Sequence, residues 1–222
     1  MQYRTIANLN LYDSPALTRL ATQASVDRYI KILSDNPLKI MTCEDDYAGW
    51  IDPQDLRFLE KATVSYQALV WTEEEIRDRI PNVIAFAYAA MSVPNQYRWG
   101  GTVAPDYDCS GLMQAAFASV KIRLPRDAYQ QEAFVQKINR SDLIPGDLVF
   151  FGTPEKATHV GLYLGENRYI HSSGKDQGRN GIGIDELSNS GDLISRTYFA
   201  QLRGVGRVIE SYQSNAIADQ QL

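Results

Sequence analysis

Apolar and polar residues alternate in short runs through the first third of the chain, a pattern typical of strands with one buried face. Runs this short and this closely spaced favour a small β-barrel. Residues 13–15 (Asp-Ser-Pro) form a turn signal, whereas the apolar spacing over 25–33 suits either a twisted strand or a helix. The predicted strands are 3–7, 9–12, 37–43, 47–51, 62–66 and 68–70.

The pattern changes character after residue 72. Thr72 followed by Glu75 fits a helix capping box, and an apolar helix is predicted over 84–90 and another over 111–118. We therefore expect a first domain over 1–72, a linker over 73–82, a second domain over 83–210 and a polar tail over 211–222. Strands are predicted at 147–151, 159–164, 168–171 and 204–209, with a glycine-rich loop over 172–185.

Composition narrows the class of protein without identifying it. The 222 residues carry a net charge of −5, which argues against a nucleic-acid binder with a basic face. We expect no membrane span, because no apolar run approaches 18 residues, and the first eleven residues do not resemble a signal peptide. Two cysteines do not make a disulfide framework, so we expect a reducing, cytoplasmic location that keeps the thiols free.

Cys109 is the first candidate for chemistry. It stands between Asp108 and Ser110 at the predicted start of a helix, where unpaired N–H groups and the helix dipole stabilise an anion. That position predicts a lowered thiol pKa and a preformed oxyanion site. The alternative is a buried structural cysteine, but a residue flanked by Asp and Ser is a poor fit to an apolar core.

The two histidines of the chain, His159 and His171, follow Cys109. A hairpin turning at 165–167 would bring them within a residue or two of register. His159 is then the expected base, and His171 the group that holds its ring. A surface role for either histidine, or zinc binding with Cys109, is the alternative, yet no tight ligand pair is present. No metal or other cofactor is expected.

These residues lie in motifs that resemble the NlpC/P60 family of bacterial cell-wall cysteine peptidases. The resemblance spans about residues 83–210, and the first domain resembles a bacterial SH3-like barrel, chiefly at 47–51 (YAGWI). It implies an α+β fold in which the barrel precedes a papain-like peptidase domain. The matching motifs are YRWGG at 97–101, DYDCSGL at 106–112, LPRD at 124–127, LIPGDLVFF at 143–151, HVGLYL at 159–164 and YIHSSG at 169–174.

The resemblance also assigns roles. It implies Cys109 as nucleophile, His159 as base, His171 as orienting residue and Tyr97 as a donor near the oxyanion. Substrate would be bound by Asp108, Ser110 and the barrel residue Tyr47. For Asp108, simple capping of the helix is the alternative role. An acid from the barrel would hold the amine of the substrate; the candidates are Asp13, Glu44, Asp45 and Asp46.

The implied activity is hydrolysis of the γ-bond between D-Glu and a diamino acid in short murein peptides with a free N-terminal L-Ala. A buried ammonium is tolerated only with carboxylate partners, so such a cleft would select released peptides over intact wall. An amidase or acyltransferase using the same Cys-His pair, and a non-catalytic wall-binding module, are the alternatives. The diamino acid and the oligomeric state stay open.

Overall fold

A computed structural model describes residues 1–214. The first part of the chain forms a seven-stranded antiparallel sheet with the order β3-β2-β6-β5-β4-β1-β7. Within residues 1–214 no ladder joins β3 to β7, so the barrel is not closed by hydrogen bonds. The strands are β1 Tyr3–Thr5, β2 Leu9–Tyr12, β3 Leu20–Ala24, β4 Tyr29–Asp35, β5 Leu38–Thr42, β6 Ala48–Trp50 and β7 Leu59–Lys61.

Alternation determines which side chains of this sheet form its core. In β5, Leu38, Ile40 and Thr42 are buried while the residues between them are partly exposed. The same period places Leu9 and Leu11 of β2 in one apolar cluster with Leu38 and Ile40. The predicted alternation over 9–12 and 37–43 therefore does describe buried faces.

The second part of the chain combines a six-stranded antiparallel sheet with helices. The sheet has the order β10-β15-β11-β12-β13-β14, and a separate two-stranded ribbon precedes the second helix. These elements are α1 Glu73–Ser92, β8 Thr102–Val103, β9 Asp106–Tyr107, α2 Cys109–Ala118, α3 Ala128–Phe134, β10 Gln136–Ile138, β11 Leu148–Gly152, β12 Ala157–Gly165, β13 Arg168–Ser173, β14 Gly181–Glu186, α4 Leu193–Phe199 and β15 Leu202–Arg207.

Both faces of the six-stranded sheet are covered, as the sequence of β11 shows. Leu148 and Phe150 point to the cluster under α1 and α2, whereas Val149 and Phe151 point to a cluster that includes Tyr198 of α4. A strand buried on both sides reads as a continuous apolar run, which is why 148–151 is Leu-Val-Phe-Phe.

The structure confirms one sequence expectation for the start of α1 and corrects several others. The capping box at Thr72 is present, since Glu75 N–H donates to Thr72 Oγ1 at 3.2 Å and Thr72 N–H donates to the Glu75 carboxylate at 2.9 Å. The helix that it starts runs through the expected linker, because Ile76 is buried in the core of the second part. Of the two possibilities for residues 25–33, the structure has the strand rather than the helix, since β4 begins within this range. Residues 62–70 form no strand, and β14 occupies part of the expected loop.

The tail is also more ordered at its beginning than its polarity suggests. Ser211 and Ser214 are buried, and Tyr212 packs edge-on against Phe134 at 5.8 Å between ring centres. Tyr212 also donates a hydrogen bond to Asp46 at 3.3 Å. Residues 215–222 of the predicted tail lie outside the described residues.

Polar side chains join the two parts around the second helix. Gln23 of β3 accepts from the N–H groups of Thr102 and Val103 at 3.1 and 3.3 Å, and Thr102 Oγ1 donates to the Gln23 carbonyl at 2.9 Å. Asp45 accepts from Gln114 of α2 at 2.8 Å, in a buried contact. The interface is therefore held by specific hydrogen bonds rather than by apolar area alone.

This interface generates a stability prediction. Replacing Gln23 by Ala leaves the donors of Thr102 and Val103 without their acceptor, which costs about 1 to 3 kcal/mol. We expect the free energy of unfolding in urea to fall by that amount. The exposed Gln67 is the matched control, and an equal loss in Gln67→Ala would contradict the assignment.

Candidate active site

Cys109 is the first residue of α2, as the pattern of the chain predicts. Asp108 precedes it in extended conformation and caps the helix, with its Oδ1 accepting from Gly111 N–H at 2.7 Å. The sulfur itself faces two backbone N–H groups, those of Ser110 and of Val160 in β12. Cys109 thus lies between the start of α2 and strand β12, with donors in place for negative charge.

The expected low thiol pKa is not what the structure supports. Burial and the neighbouring carboxylate of Asp108 raise the pKa of Cys109 to about 12, and the N–H groups of Ser110 and Val160 offset only part of this. The N–H group of Ser110 at the start of the helix acts in the predicted direction but is outweighed by desolvation. The resting thiol is therefore protonated and needs a base at the moment it reacts.

The two histidines meet on one face of the sheet. His159 lies on β12 and His171 on β13, and the pairing of Leu162 with Ile170 places them two residues out of register, as diagonal neighbours. His159 Nε2 and His171 Nδ1 are 2.7 Å apart. The hairpin therefore brings the two rings together as the turn at 165–167 predicts.

Asp185 of β14 is the third member of the hydrogen-bonded chain that contains His159 and His171, and the sequence analysis did not predict it. Its Oδ2 lies 2.6 Å from His171 Nε2, and Arg179 binds the same carboxylate. Its side chain is only 1% exposed. The sequence pattern that could have identified it is the alternation over 181–186 (GIGIDE), which is typical of a strand rather than of the glycine-rich loop expected there.

Glycines on both neighbouring strands make room for this arrangement. Gly183 of β14 is paired directly with His171, and a side chain at Gly183 would collide with the guanidinium of Arg179. A Cβ at Gly161 of β12 would lie 2.6 Å from the ring of Tyr169 and 3.4 Å from His171 Cβ. Only glycine permits the rings and Arg179 to pack this closely.

The hydrogen-bond chain determines where the protons are. Burial alone would raise the pKa of Asp185, but the hydrogen bonds from His171 and Arg179 lower it below its ordinary value, so the carboxylate only accepts. His171 then donates from Nε2 and accepts at Nδ1, which requires a proton on His159 Nε2. The Nδ1 atom of His159 then carries no proton and can accept one.

Burial keeps both imidazoles neutral. Desolvation lowers the pKa of His159 well below its usual value, and the adjacent His171 lowers it further. The pKa of His171 is also lowered by burial, against the opposing effect of Asp185. Neutral rings are what the chain of tautomers requires.

Two tyrosines enclose the reacting groups. Tyr198 of α4 stacks on His159 with ring centres 4.4 Å apart and is held by Ser173, whose hydroxyl lies 2.6 Å from the Tyr198 hydroxyl. Tyr97 is half-buried in the cleft beside Cys109, where burial and then Cys109 raise its pKa, so it keeps the proton that an oxyanion donor needs. Tyr198 carried no motif signal in the sequence.

A cleft of about 530 Å³ opens over Cys109. Both parts of the chain line it, and it includes Tyr47, Asp108 and Ser110 of the predicted substrate residues. Basic and acidic side chains are both present. The lining charged residues are Asp13, Arg19, Asp108, Asp127 and Lys156.

The four candidate acids of the first domain have different surroundings. Glu44 is buried and binds Arg28 at 2.9 Å, and Asp45 binds the same guanidinium at 3.0 Å and Gln114 at 2.8 Å. Asp46 accepts from Tyr212. Asp13 is the member of the set that lines the cleft, where it lies 3.6 Å from Arg19.

The cleft adds an acid that the sequence interpretation did not single out. Asp127, just before α3, lines the cleft and contributes to the raised pKa of Tyr47, which is about 12 chiefly through burial. Burial likewise raises the pKa of Asp127, against the effect of Arg126. Tyr47 and Asp127 therefore share one partly desolvated corner.

No cluster of three or more His, Cys, Asp or Glu within residues 1–214 is arranged to hold a metal ion. Over the same residues, no helix combines the length and the apolarity needed to span a membrane. Both cysteines are free thiols.

The buried histidines predict a specific pH dependence of stability. Their pKa values are lower in the folded chain than the ordinary 6.5, so the unfolded chain binds protons that the folded chain does not. Stability is therefore complete above about pH 6.5 and falls on acidification, by up to about 1.4 kcal/mol per pH unit for each histidine. Urea unfolding between about pH 7.5 and 5 measures it.

The chain has two histidines, so we assign the loss of stability on acidification below about pH 6.5 to these two residues. We expect the variant H159Q/H171Q to lose most of the slope between about pH 6.5 and 5. An unchanged slope in that variant would show that other groups titrate.

Two family models match the chain. The NlpC/P60 family matches residues 94–203, and the bacterial dipeptidyl-peptidase SH3 domain matches residues 11–56. A probable endopeptidase NlpC homolog of Haemophilus influenzae is 44% identical over 107 residues, covering 48% of this chain and 54% of that protein. The Escherichia coli murein DD-endopeptidase/LD-carboxypeptidase MepS is 39% identical over 79 residues, 35% of this chain and 42% of that protein.

The chain therefore spans about half or less of these curated relatives. Among solved structures, an NlpC/P60 family protein from Bacillus cereus has a TM-score of 0.74 at 15% identity and covers 94% of this chain and 100% of its own. At that identity the likeness concerns the fold, and it confirms the predicted α+β class of SH3-like strands followed by a papain-like domain. The chain therefore contains an NlpC/P60 family domain, and a bacterial SH3 domain precedes it.

Proposed function

We propose that this protein is a cysteine endopeptidase that hydrolyses the γ-bond between D-Glu and a diamino acid in short murein peptides with a free N-terminal L-Ala. The observation that carries the proposal is the continuous chain from Asp185 through His171 to His159, which leaves His159 Nδ1 without a proton and able to act as a base. Such a chain serves a nucleophile that must lose its proton. The endopeptidase names of the relatives agree with this chemistry.

Acylation begins with the neutral thiol. The proton of Cys109 moves to His159 Nδ1 as the sulfur attacks the amide carbon, and the negative charge passes to the carbonyl oxygen. Backbone N–H groups at the start of α2 and the hydroxyl of Tyr97 stabilise that oxygen. His159 then gives its proton to the leaving amine as the C–N bond breaks.

Deacylation returns the site to its first state. A water molecule gives a proton to His159 Nδ1 and attacks the thioester carbon, and the C–S bond breaks as His159 returns the proton to the sulfur. His171 and Asp185 keep the ring of His159 in one tautomer throughout. No cofactor takes part in this scheme.

Substrate selection is proposed to depend on the cleft between the domains. Tyr47 with Asp127 or Asp13 would receive the terminal ammonium, since these groups line the cleft. Asp108 and Ser110 would contact the same end of the peptide. One relative is named for a DD bond and an LD bond, so the family alone does not specify the bond that is cleaved. The γ-bond is proposed from the sequence resemblance, and the amine-binding corner is consistent with a short peptide substrate.

The proposal extends to biological role. A site that requires a free amine acts on released wall peptides, which suits peptide recycling. We propose a cytoplasmic location, because a nucleophilic thiol must stay reduced.

The nucleophile is tested with a matched pair of cysteines. Cys109→Ala should abolish hydrolysis of L-Ala-γ-D-Glu-diaminopimelate while the protein still unfolds cooperatively, because no other thiol faces the cleft. Cys43→Ala removes the other cysteine, which is buried in the first domain, and should keep most of the activity. Product analysis by mass spectrometry measures both, and cleavage by purified Cys109→Ala would sink the assignment.

The free-amine requirement is tested with the N-acetylated peptide. Acetylation removes the ammonium and leaves a cleft carboxylate unpaired, at a cost of about 2 to 5 kcal/mol, so kcat/KM should fall roughly 30-fold or more. Asp127→Asn and Asp13→Asn are compared side by side. The measured quantity is the ratio of kcat/KM for the free peptide to that for the acetylated peptide. The acid that holds the amine is the one whose replacement makes this ratio smaller. Equal cleavage of both peptides by the wild type rejects the requirement.

A further inference from the structure

Arg126 is the largest of the fully buried side chains, with 1% of its surface exposed. It follows Pro125 in the loop before α3 and has its whole guanidinium inside the protein. A buried cation is stable only with charged and hydrogen-bonding partners. The mechanism proposed above gives this arginine no part.

The partners of Arg126 flank the nucleophile on both sides. Nη2 donates to Asp108 Oδ2 at 2.6 Å and Nη1 to Asp108 Oδ1 at 3.2 Å, a two-pronged contact. Nη1 also donates to Ser110 Oγ at 2.9 Å. One guanidinium therefore binds both residues adjacent to Cys109 along the chain.

The third edge of the guanidinium reaches the first domain. Arg126 Nε donates to Thr22 Oγ1 of β3 at 2.8 Å, and both side chains are buried. Asp108 is further held by Gly100 N–H at 2.9 Å and Gly111 N–H at 2.7 Å. These contacts leave the start of α2 little freedom to shift.

The same contact has an electrostatic consequence. The carboxylate of Asp108 is the main charge that raises the pKa of Cys109, and Arg126 acts in the opposite direction. Without the guanidinium, a buried negative charge would stand beside a thiol that must become negative itself. Arg126 thus offsets the charge of the residue that caps the helix.

We propose that Arg126 is a positioning residue for Cys109: it fixes Asp108 and Ser110 against Thr22 and offsets part of the negative charge beside the nucleophilic sulfur. The proposal goes beyond the proposed function and rests on it only in taking Cys109 as the nucleophile. The link to Thr22 makes the first domain part of the support of the active site.

The test measures the reactivity of Cys109 directly, without a peptide substrate. Iodoacetamide alkylation is followed over a range of pH, and mass spectrometry separates the peptide of Cys109 from that of Cys43. R126Q should raise the apparent pKa of Cys109 by about one unit, which slows alkylation about tenfold at a pH below that pKa. R126K retains the charge and should restore the wild-type profile, with a lowered kcat because the two-pronged contact is lost.

Two further comparisons sharpen the result. R207Q removes an arginine that makes a similar two-pronged contact with Asp147, at 2.8 and 2.9 Å, away from the cleft, and should leave the profile unchanged. D108N and D108N/R126Q contain no carboxylate at position 108 to be left unpaired. Their Cys109 pKa values should still differ by about one unit, with the double variant higher.

A folded R126Q with the wild-type alkylation profile would overturn the proposal. If R126Q does not fold, D108N and D108N/R126Q decide the matter, and equal profiles for those two would overturn it. Failure of the wild type to cleave the murein peptide would reject the proposed substrate alone, since the alkylation profiles are read without substrate.

Discussion

The active site depends on the register of three adjacent strands. β12, β13 and β14 each contribute one polar side chain to the same face, and diagonal offsets of two residues bring His159, His171 and Asp185 within hydrogen-bonding distance. A slip of one residue in either ladder would turn one of these side chains to the opposite face. The proton arrangement that frees His159 Nδ1 therefore follows from strand pairing, and the glycines at 161 and 183 make room for that pairing.

The electrostatics of the thiol show that a helix start does not by itself make a reactive cysteine. Burial raises the pKa of Cys109 to about 12 despite two N–H donors, and it lowers the pKa of His159. Both effects favour the neutral pair over the ion pair in the resting protein. The N–H groups of Ser110 and Val160 face the sulfur, and Arg126 offsets part of the effect of Asp108 on the pKa of Cys109.

The first domain contributes to this chemistry through polar contacts. Thr22 and Gln23 of β3 hold Arg126 and the ribbon before α2, and Tyr47 forms one wall of the cleft. A barrel that acted only as a wall-binding module would not need buried hydrogen bonds to the nucleophile's helix. The same interface therefore holds the residues on either side of Cys109 and lines the cleft.

Local signals in the sequence determined much of this protein. Alternation predicted β2 and β5, and the capping box predicted the start of α1, because each depends on neighbours along the chain. The Asp-Cys-Ser-Gly run and the two histidines gave the candidate reacting groups. Tertiary structure decided what depends on distant contacts. It placed Asp185 in a strand where a loop was expected, and it paired Glu44 and Asp45 with Arg28. It also buried Cys109 so deeply that the pKa of its thiol is raised rather than lowered. Pairing, burial and charge balance come from residues far apart in sequence, and no local pattern records them.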